Sequence, residues 1–384
     1  MARVVRRLFA LVLSASISLS PADETAPSAG TPTPGTPTVQ DGYVQTIAPV
    51  TKGVWLIAQP QAFHIQPIGN VVVIEHADGL VLIDGGGSTG AGRRIVDLVR
   101  SVSDKPVKAI ALTHWHGDHV LGVSAIVQAW PSAEVIATDV TDAHLRGRSM
   151  KAYPKGAPDA TLQAAFDQRL DSVERSLRDA LAKPGLAPRE REGFAASQRL
   201  FVQYRQDTRD LVLALPTRTF VDSLRLDDAT HPVELRHPGR GNTDGDLIAW
   251  LPRQRVMVAG DLLVAPVPFG FNAYPADWQR TLRAMQAQTP AWWIPGHGAA
   301  MRDDGYVTRV VDLIDATRDA VAAQVRQGAS MDDAKKRIDL SAGRAQFAGD
   351  DPWLSRWFDR YWTQPFIEAA YREATGAPIE QGEG

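Results

Sequence analysis

The chain has 384 residues, enough to bury a large core in roughly one to three domains. Its 41 basic and 44 acidic residues give a net charge of −3, and no long basic run follows the N-terminus, so no nucleic-acid partner is expected. Cysteine is absent, which excludes disulfides, thiolate nucleophiles and cysteine-ligated zinc. Any metal must therefore be held by nitrogen and oxygen atoms.

The N-terminus has the layout of a signal peptide. Arg6 and Arg7 precede an apolar stretch at 8–19 that is too short for a comfortable transmembrane helix. Residues 1–22 are therefore predicted to direct export by the general secretory or the twin-arginine route, to the periplasm or the medium. An uncleaved membrane anchor is the alternative, but no stable membrane insertion is expected once the signal is removed. Residues 23–42, rich in Pro and Thr, are predicted to form a disordered linker.

The rest of the chain alternates between strand and helix patterns, which favours an α/β fold. Apolar runs predict strands at 54–57, 71–75, 80–83, 107–113, 134–137, 218–221, 233–236, 247–251, 255–259 and 292–294. Helical spacing predicts helices at about 91–103, directly after 119, and at 306–327. The main domain is predicted to span 43–305, and a C-terminal helical extension is predicted at 306–384.

A helical insertion at about 140–215 interrupts the alternation. One face of its first helix is marked by apolar residues three or four positions apart: Phe166, Leu170, Val173, Leu177 and Leu181. A second helix is predicted at about 188–213. The insertion is interpreted either as a structural helical hairpin or as a cover over the active site. Aromatic residues at helical spacing in the extension are predicted to pack in a core rather than bind a ligand: Trp353, Trp357, Phe358, Tyr361, Trp362 and Phe366.

The most informative stretch is His114-Trp115-His116-Gly117-Asp118-His119, directly after the predicted strand at 107–113. Three of the nine histidines fall within these six residues, together with a carboxylate. A strand that ends in a short loop before a helix can direct several of these side chains to one point. Imidazole and carboxylate ligands suit zinc, and iron or manganese can also use them. The motif predicts a metal site.

Two later segments repeat this arrangement. Gly260-Asp261 follows the predicted strand at 255–259, and Gly296-His297 follows the one at 292–294. Each dipeptide alone is typical of an ordinary turn. Together with the first motif, at strand ends in one α/β chain, they indicate that Asp261 and His297 complete the metal site.

With these residues the chain resembles the metallo-β-lactamase superfamily over about 43–300. The H-x-H-x-D-H motif of that family corresponds to 114–119, and its later aspartate and Gly-His pair correspond to Asp261 and Gly296-His297. The resemblance implies an αββα sandwich, in which two β-sheets pack face to face with helices outside. Together with the predicted helical segments, it implies this sandwich with a helical insertion and a C-terminal helical extension.

The resemblance also implies a binuclear centre. In the family, two metal ions are commonly held side by side. His114 and His116 would then serve the first metal. Asp118, His119 and His297 would serve the second. Zinc is the expected ion, with one or two bound per chain, and iron is the alternative.

Two aspartates and one asparagine complete the implied site. Asp261 would bridge the two metals, and Asp84, after the strand at 80–83, would orient ligands from behind through hydrogen bonds. The family usually supplies a third histidine to the first metal, where this chain has Asn242. An amide oxygen is a weaker zinc ligand than imidazole, so the first metal is expected to bind more weakly or differently. His237 is an alternative ligand if its loop folds back.

The function implied is that of an exported metal-dependent hydrolase acting on a small molecule. A metal-bound hydroxide, oriented by Asp118, would cleave an amide, ester, thioester or lactone. A β-lactamase proper, an iron-dependent redox enzyme of the same fold and a non-catalytic binding protein are the alternatives. The pocket is expected to be lined by 62–69, the insertion and 266–274, including Phe269 and Phe271. The oligomeric state is left open.

Overall fold

The computed structural model describes residues 45–59, 68–147, 149–379 and 381. The predicted signal peptide and linker lie outside these residues, as do residues 62–67 of the expected pocket lining. Among the residues described, no helix is both long enough and apolar enough to cross a membrane.

The first sheet has seven strands that follow one another in sequence order. They are β1 (Thr46–Thr51), β2 (Val54–Ala58), β3 (Val71–His76), β4 (Gly79–Ile83), β5 (Val107–Ala111), β6 (Glu134–Thr138) and β7 (Arg218–Phe220). Strands β1 to β4 pair antiparallel, whereas β4 to β7 pair parallel. The carboxyl ends of the parallel strands therefore meet at one edge, where the chain leaves β5.

The second sheet has five strands in the order β12-β11-β10-β9-β8. They are β8 (Ser223–Leu226), β9 (Val233–Arg236), β10 (Ile248–Leu251), β11 (Val256–Val264) and β12 (Trp292–His297). Only the pair β11–β12 is parallel; the others are antiparallel. Strand β11 is buried along its whole length, because the other sheet covers one face and helices cover the other.

The two sheets pack face to face through a shared apolar core. Inner-face residues of the first sheet, such as Val72 and Ile83, lie in one buried cluster with Leu235, Val258 and Ile294 of the second. A second cluster lies between the first sheet and its outer helices, and a third lies between the second sheet and its outer helices. This confirms the αββα sandwich, because each sheet buries apolar side chains on both faces.

Twelve α-helices and one π-helix surround the sheets in the described part of the chain. They are α1 (Thr89–Val102), α2 (Gly117–Val120), α3 (Val123–Ala129), α4 (Asp139–Arg146), α5 (Ala160–Ala182), α6 (Pro188–Asp207), α7 (Pro275–Gln286), α8 (Gly305–Arg326), α9 (Met331–Arg337), α10 (Ser341–Ala348), α11 (Pro352–Phe358), the π-helix Asp359–Thr363 and α12 (Gln364–Thr375). Helices α1 and α3 cover the first sheet, and α7 and α8 cover the second.

The insertion forms the hairpin α5–α6, which is tied to both the first helix layer and the extension. Arg94 of α1 pairs with Asp207 at the end of α6 at 2.6 Å. Arg356 of α11 pairs with the buried Glu190 at the start of α6 at 2.9 Å. The second insertion helix was predicted to run to 213, but it ends at Asp207, whose carboxylate forms the partly buried ion pair with Arg94.

The aromatic residues of the extension are core residues, as predicted. Trp353, Phe358, Trp362 and Phe366 are each 0% exposed. Tyr361 reaches the loop after β11, with its ring centroid 4.6 Å from that of Phe269. The extension therefore packs both on the second sheet and beside the carboxyl edge of the sandwich.

Candidate metal centre

Three chain segments bring the predicted ligands to the carboxyl edge of the sandwich. The motif 114–119 follows β5 and runs into α2. His297 is the last residue of β12, and Asp261 lies in the neighbouring parallel strand β11. β11 was predicted to end at 259, which is wrong: it continues to Val264, but its pairing with β12 shifts on both sides of Gly260, which has φ +53°. Asp261 therefore lies at an irregular point of the strand.

Four side chains form the first group of metal-ligand atoms: Asp118, His119, Asp261 and His297, whose ligand atoms all lie within 4.8 Å of one another. His119 Nε2 is 3.2 Å from Asp261 Oδ1 and 3.3 Å from His297 Nε2. His297 Nε2 is 3.0 Å from Asp118 Oδ2. Three members of this group, Asp118, His119 and His297, are the ligands that the family resemblance assigned to the second metal. The fourth member, Asp261, is the carboxylate that was expected to bridge the two metals.

His114, His116 and Asp261 form a second group. His114 Nε2 faces Asp261 Oδ2 at 3.7 Å, whereas the other carboxylate oxygen of Asp261 faces the first group. His114 Nε2 and Asp261 Oδ1 are buried without a hydrogen-bond partner among the described residues. Buried polar atoms in a folded protein are nearly always partnered, so the donor set fits a bound cation on each side of Asp261.

The charges of these groups favour the same interpretation. Burial lowers the pKa of His114 and His116, which keeps both imidazoles neutral and able to bind a metal. Burial opposes charge on His297 as well, but Asp261 and Asp118 outweigh it and raise its pKa to about 9. The buried carboxylate of Asp261 and the partly buried one of Asp118 are thus stabilised by nearby positive charge, which a divalent cation would supply in place of protons.

Asp84 orients the imidazole of His119 directly and that of His114 through Thr113. Its Oδ2 accepts a hydrogen bond from His119 Nδ1 at 2.8 Å, which turns Nε2 of that ring toward the centre. Thr113 donates to the same carboxylate through its backbone N–H and its hydroxyl, each at 2.7 Å. Because the hydroxyl proton is used there, Thr113 Oγ1 accepts from His114 Nδ1 at 2.9 Å, which leaves Nε2 of His114 as a free lone pair.

Two contributors were not predicted from the sequence. Thr113 stands directly before the motif, and its position at the end of an apolar run was the one available signal. Asn70 donates from Nδ2 to the carbonyls of Pro295 and Gly298, each at 2.8 Å, and so fixes the turn that carries His297. Nothing in the sequence around Asn70 marks it, because its partners are more than 200 residues away.

Glycines allow the segments to approach closely. A Cβ atom on Gly296 would lie 1.9 Å from Asp261 Oδ1, and one on Gly69 would lie 2.6 Å from the ring of His119. A side chain at either position would displace a predicted ligand. Gly296 of the Gly-His pair is thus needed because no side chain fits at its position, and not only because glycine allows the chain to turn.

Asn242 and His237, the two alternatives for the missing third histidine, differ in placement. Asn242 is 1% exposed, and its Nδ2 donates to the carbonyl of Phe269 at 3.2 Å. Its Oδ1 has no hydrogen-bond partner among the described residues, as fits an oxygen ligand. His237 Nδ1 instead donates to the carbonyl of Asp246 at 2.7 Å, and His237 belongs to neither ligand group.

The centre is reachable at Asp118, the most exposed of the clustered carboxylates, whose side chain is 20% exposed against 2% for Asp261. Aromatic rings border it: the ring of Phe269 lies 5.4 Å from that of His297 and contacts Tyr361. Phe271 also contacts Tyr361, at 5.1 Å. The structure thus places both phenylalanines in a wall that joins the site to the extension.

Comparison with known proteins agrees with this geometry. A linear primary-alkylsulfatase from Pseudomonas sp. (strain ATCC 19151) is 24% identical over 310 residues, which cover 74% of this chain and 52% of that protein. A metallo-beta-lactamase type 2 from Bacillus sp. (strain 170) is 21% identical over 276 residues, which cover 70% of this chain and 82% of that protein.

Among solved structures, the stereoselective inverting sec-alkylsulfatase Pisa1 from Pseudomonas sp. superposes with a TM-score of 0.56 at 14% identity, covering 87% of this chain and 51% of that one. This chain therefore spans about half the length of the alkylsulfatases that it matches. The sequence pattern of the metallo-beta-lactamase superfamily matches residues 65–297, well over half of the chain. Together with the αββα sandwich and its two ligand groups, this match shows that the chain belongs to the metallo-beta-lactamase superfamily.

Proposed function

We propose that this chain is an exported zinc-dependent hydrolase that cleaves an ester, thioester, lactone or amide bond in a small molecule. The observation that carries the proposal is the convergence of two ligand groups on Asp261, with Asp118 exposed at their edge. Hydrolases of the superfamily among the relatives support metal-dependent hydrolysis in general terms. All the ligand atoms are nitrogen or oxygen, which supports zinc as the metal, with one or two ions per chain.

The residues of the chain have distinct parts in this reaction. When bound, a divalent metal acts as a Lewis acid and makes water nucleophilic near neutral pH. Asp118 reaches the edge of the centre, where its carboxylate can orient the attacking water. Asp84 holds the imidazole of His119 in one orientation, so that the donor set is arranged before substrate arrives. Phe269 and Tyr361 shield one side from bulk solvent.

A sulfate ester is a second candidate substrate. The support for it is the similarity to a protein named linear primary-alkylsulfatase, with 24% identity over 74% of this chain. Hydrolysis of a sulfate ester is also an attack by water, at sulfur or at the carbon that carries the sulfate oxygen, and it releases sulfate and an alcohol. The same ligand groups and the same water-orienting Asp118 would serve either ester. A β-lactam is supported by the similarity to proteins named metallo-beta-lactamase type 2, at 21% and 20% identity.

Export is proposed from the positive charges and short apolar stretch of 1–22. A small-molecule substrate is proposed because the ligand groups lie at a sheet edge bordered by aromatic rings. The net charge of −3 argues against a nucleic-acid substrate.

The function is tested by assaying zinc-loaded protein on p-nitrophenyl butyrate, a thioester, an alkyl sulfate and nitrocefin. We expect hydrolysis of at least one substrate, loss of at least about 100-fold after chelation, and recovery on adding zinc, because the metal supplies the nucleophile. The substrate hydrolysed fastest identifies the bond. Purified protein that holds iron and turns over none of the four would contradict the hydrolase proposal in favour of redox chemistry.

A further inference from the structure

The helical insertion places an aromatic side chain against the metal motif. Tyr153 lies between α4 and α5 and is only 7% exposed. A Cβ atom on Gly117, in the middle of the motif, would lie 3.6 Å from the hydroxyl oxygen of Tyr153. The insertion therefore borders the candidate site, as the cover interpretation of the sequence requires.

Arg169 of α5 lies directly behind this tyrosine. Its guanidinium carbon is 5.3 Å from the centroid of the Tyr153 ring and 5.1 Å from that of Phe166. The planar cation is thus held against two aromatic rings, which restricts its rotation.

One nitrogen of the Arg169 guanidinium is buried without the partner that a buried N–H group normally has, although the residue as a whole is partly exposed. Its Nη2 is buried with no hydrogen-bond partner, and no carboxylate lies within ion-pair distance of it among the described residues. The neighbouring Arg205 of α6 shows the ordinary case, because it pairs with Asp171 at 2.6 Å and Glu174 at 3.3 Å. An unpaired buried N–H of a cation is costly unless a ligand completes it.

Arg169 and the candidate metal centre face the same phenols. Burial raises the pKa of Tyr153 and Tyr204, and in both cases Arg169 acts to lower it and Asp118 to raise it. The geometry agrees for Tyr153, because its ring centroid lies 5.3 Å from the guanidinium carbon of Arg169 and its hydroxyl borders Gly117, the residue before Asp118. No ion pair joins Asp118 to Arg169 among the described residues, and the Oδ2 atom of Asp118 lies 3.0 Å from His297 Nε2.

A second arginine with unpartnered N–H groups lies in the extension. Nε and Nη2 of Arg360, in the π-helix, are also buried without a partner among the described residues. The next residue, Tyr361, contacts Phe269 of the site wall. π-Helices are rare and frequently occur at functional sites. Both added helical segments thus contain an arginine with buried N–H groups that lack a partner among the described residues.

We propose that Arg169 binds an anionic group of the substrate, a sulfate or a carboxylate, beside the metal centre. This inference rests on the proposed function and narrows it to substrates that carry a negative charge near the bond that is cleaved. A fork of N–H donors matches the oxygens of either anion. The aromatic rings around Arg169 would contact the apolar part of the same molecule.

The test measures binding rather than turnover, so that it is independent of the hydrolase assay. Isothermal titration calorimetry of zinc-loaded protein would use octane-1-sulfonate, octanoate and the neutral 1-octanol, none of which contains a bond to be hydrolysed. Arg169→Gln is expected to weaken the binding of at least one anion by about tenfold or more, because a charge-assisted hydrogen bond is lost. Binding of 1-octanol is expected to change by less than about twofold.

Arg175→Gln is the matched control, because Arg175 is an exposed arginine of the same helix that bonds only Ser172 in the described structure. It should bind both anions as the wild type does. If Arg169→Gln lowers the melting temperature, Arg169→Lys, which keeps the charge, should restore part of the anion affinity. Equal anion affinity in Arg169→Gln and wild type, or no anion binding by wild type, would overturn the proposal. Arg169-dependent binding without hydrolysis of any substrate would instead refute only the proposed function.

Discussion

Asp118→Ala is expected to lower the rate of hydrolysis by about 10²–10⁴-fold, the usual contribution of a positioned group that handles a proton in the transition state. Asp118 is both a member of the first ligand group and the carboxylate that reaches the open edge of the site. Its removal therefore loses a metal ligand and the group that orients water. The measurement is kcat/KM on the substrate that the wild type hydrolyses fastest, with circular dichroism to verify the fold.

Asp142→Ala is a suitable control for this experiment. The side chain of Asp142 is 19% exposed, close to the 20% of Asp118, and it pairs with Arg146 on the surface of α4. It should keep wild-type kcat/KM. Full activity in Asp118→Ala would mean that this carboxylate has no part in the chemistry, and the role assigned to it would be wrong.

Asp261→Asn is expected to remove metal from both ligand groups. Asp261 is shared by the two groups, and its two oxygens face different histidines, at 3.7 Å for His114 and 3.2 Å for His119. The amide keeps the shape but loses the negative charge. The loss in metal affinity should exceed the roughly 10–100-fold typical of an outer hydrogen-bond partner, because a direct ligand is changed.

Metal content after gel filtration, measured by plasma emission spectrometry, checks this expectation. The Asp118→Ala protein is the informative comparison, because it lacks a ligand of one group only and should keep more metal than Asp261→Asn. An Asp261→Asn chain that retains wild-type metal content would show that Asp261 does not bridge the two groups.

The motif could be recognised from sequence because its chemistry is local. Three histidines and an aspartate within 114–119 follow one strand, and the strand-loop-helix order sets their directions. The αββα layers followed from the same pattern and the family resemblance. Asp261 and His297 were also predicted as ligands, since each stands beside a glycine after a predicted strand, and the structure places both in the ligand groups.

Other features could not be predicted because they depend on contacts between distant segments. Strand β11 continues past Asp261, because its pairing with β12 resumes after a register shift at Gly260. No local sequence pattern marks this shift. The support of His297 by Asn70 spans 225 residues to Pro295. The position of Arg169 against Tyr153 depends on how the insertion folds back, which amphipathic spacing alone does not determine.

Helix α7 also escaped prediction, although it follows the loop that carries Phe269. Its first residue is Pro275, a favoured residue at the start of a helix, but the preceding Pro- and Gly-rich loop dominated the local pattern. Trp278 of this helix donates from Nε1 to the carbonyl of Leu262, beside Asp261. The helix thus supports the second sheet at the point where the shared carboxylate leaves it.

The most direct measurement is the metal content per chain of protein purified without chelators, for the wild type and for Asn242→His. We expect about two zinc ions per wild-type chain, one for each group around Asp261, since the buried Oδ1 of Asn242 has no hydrogen-bond partner among the described residues and would complete the group of His114 and His116. The histidine variant should hold the ion at His114 and His116 more tightly, because imidazole is a stronger zinc ligand than an amide oxygen. Wild-type protein that holds no divalent metal, even after incubation with zinc, would contradict a metal centre at this site.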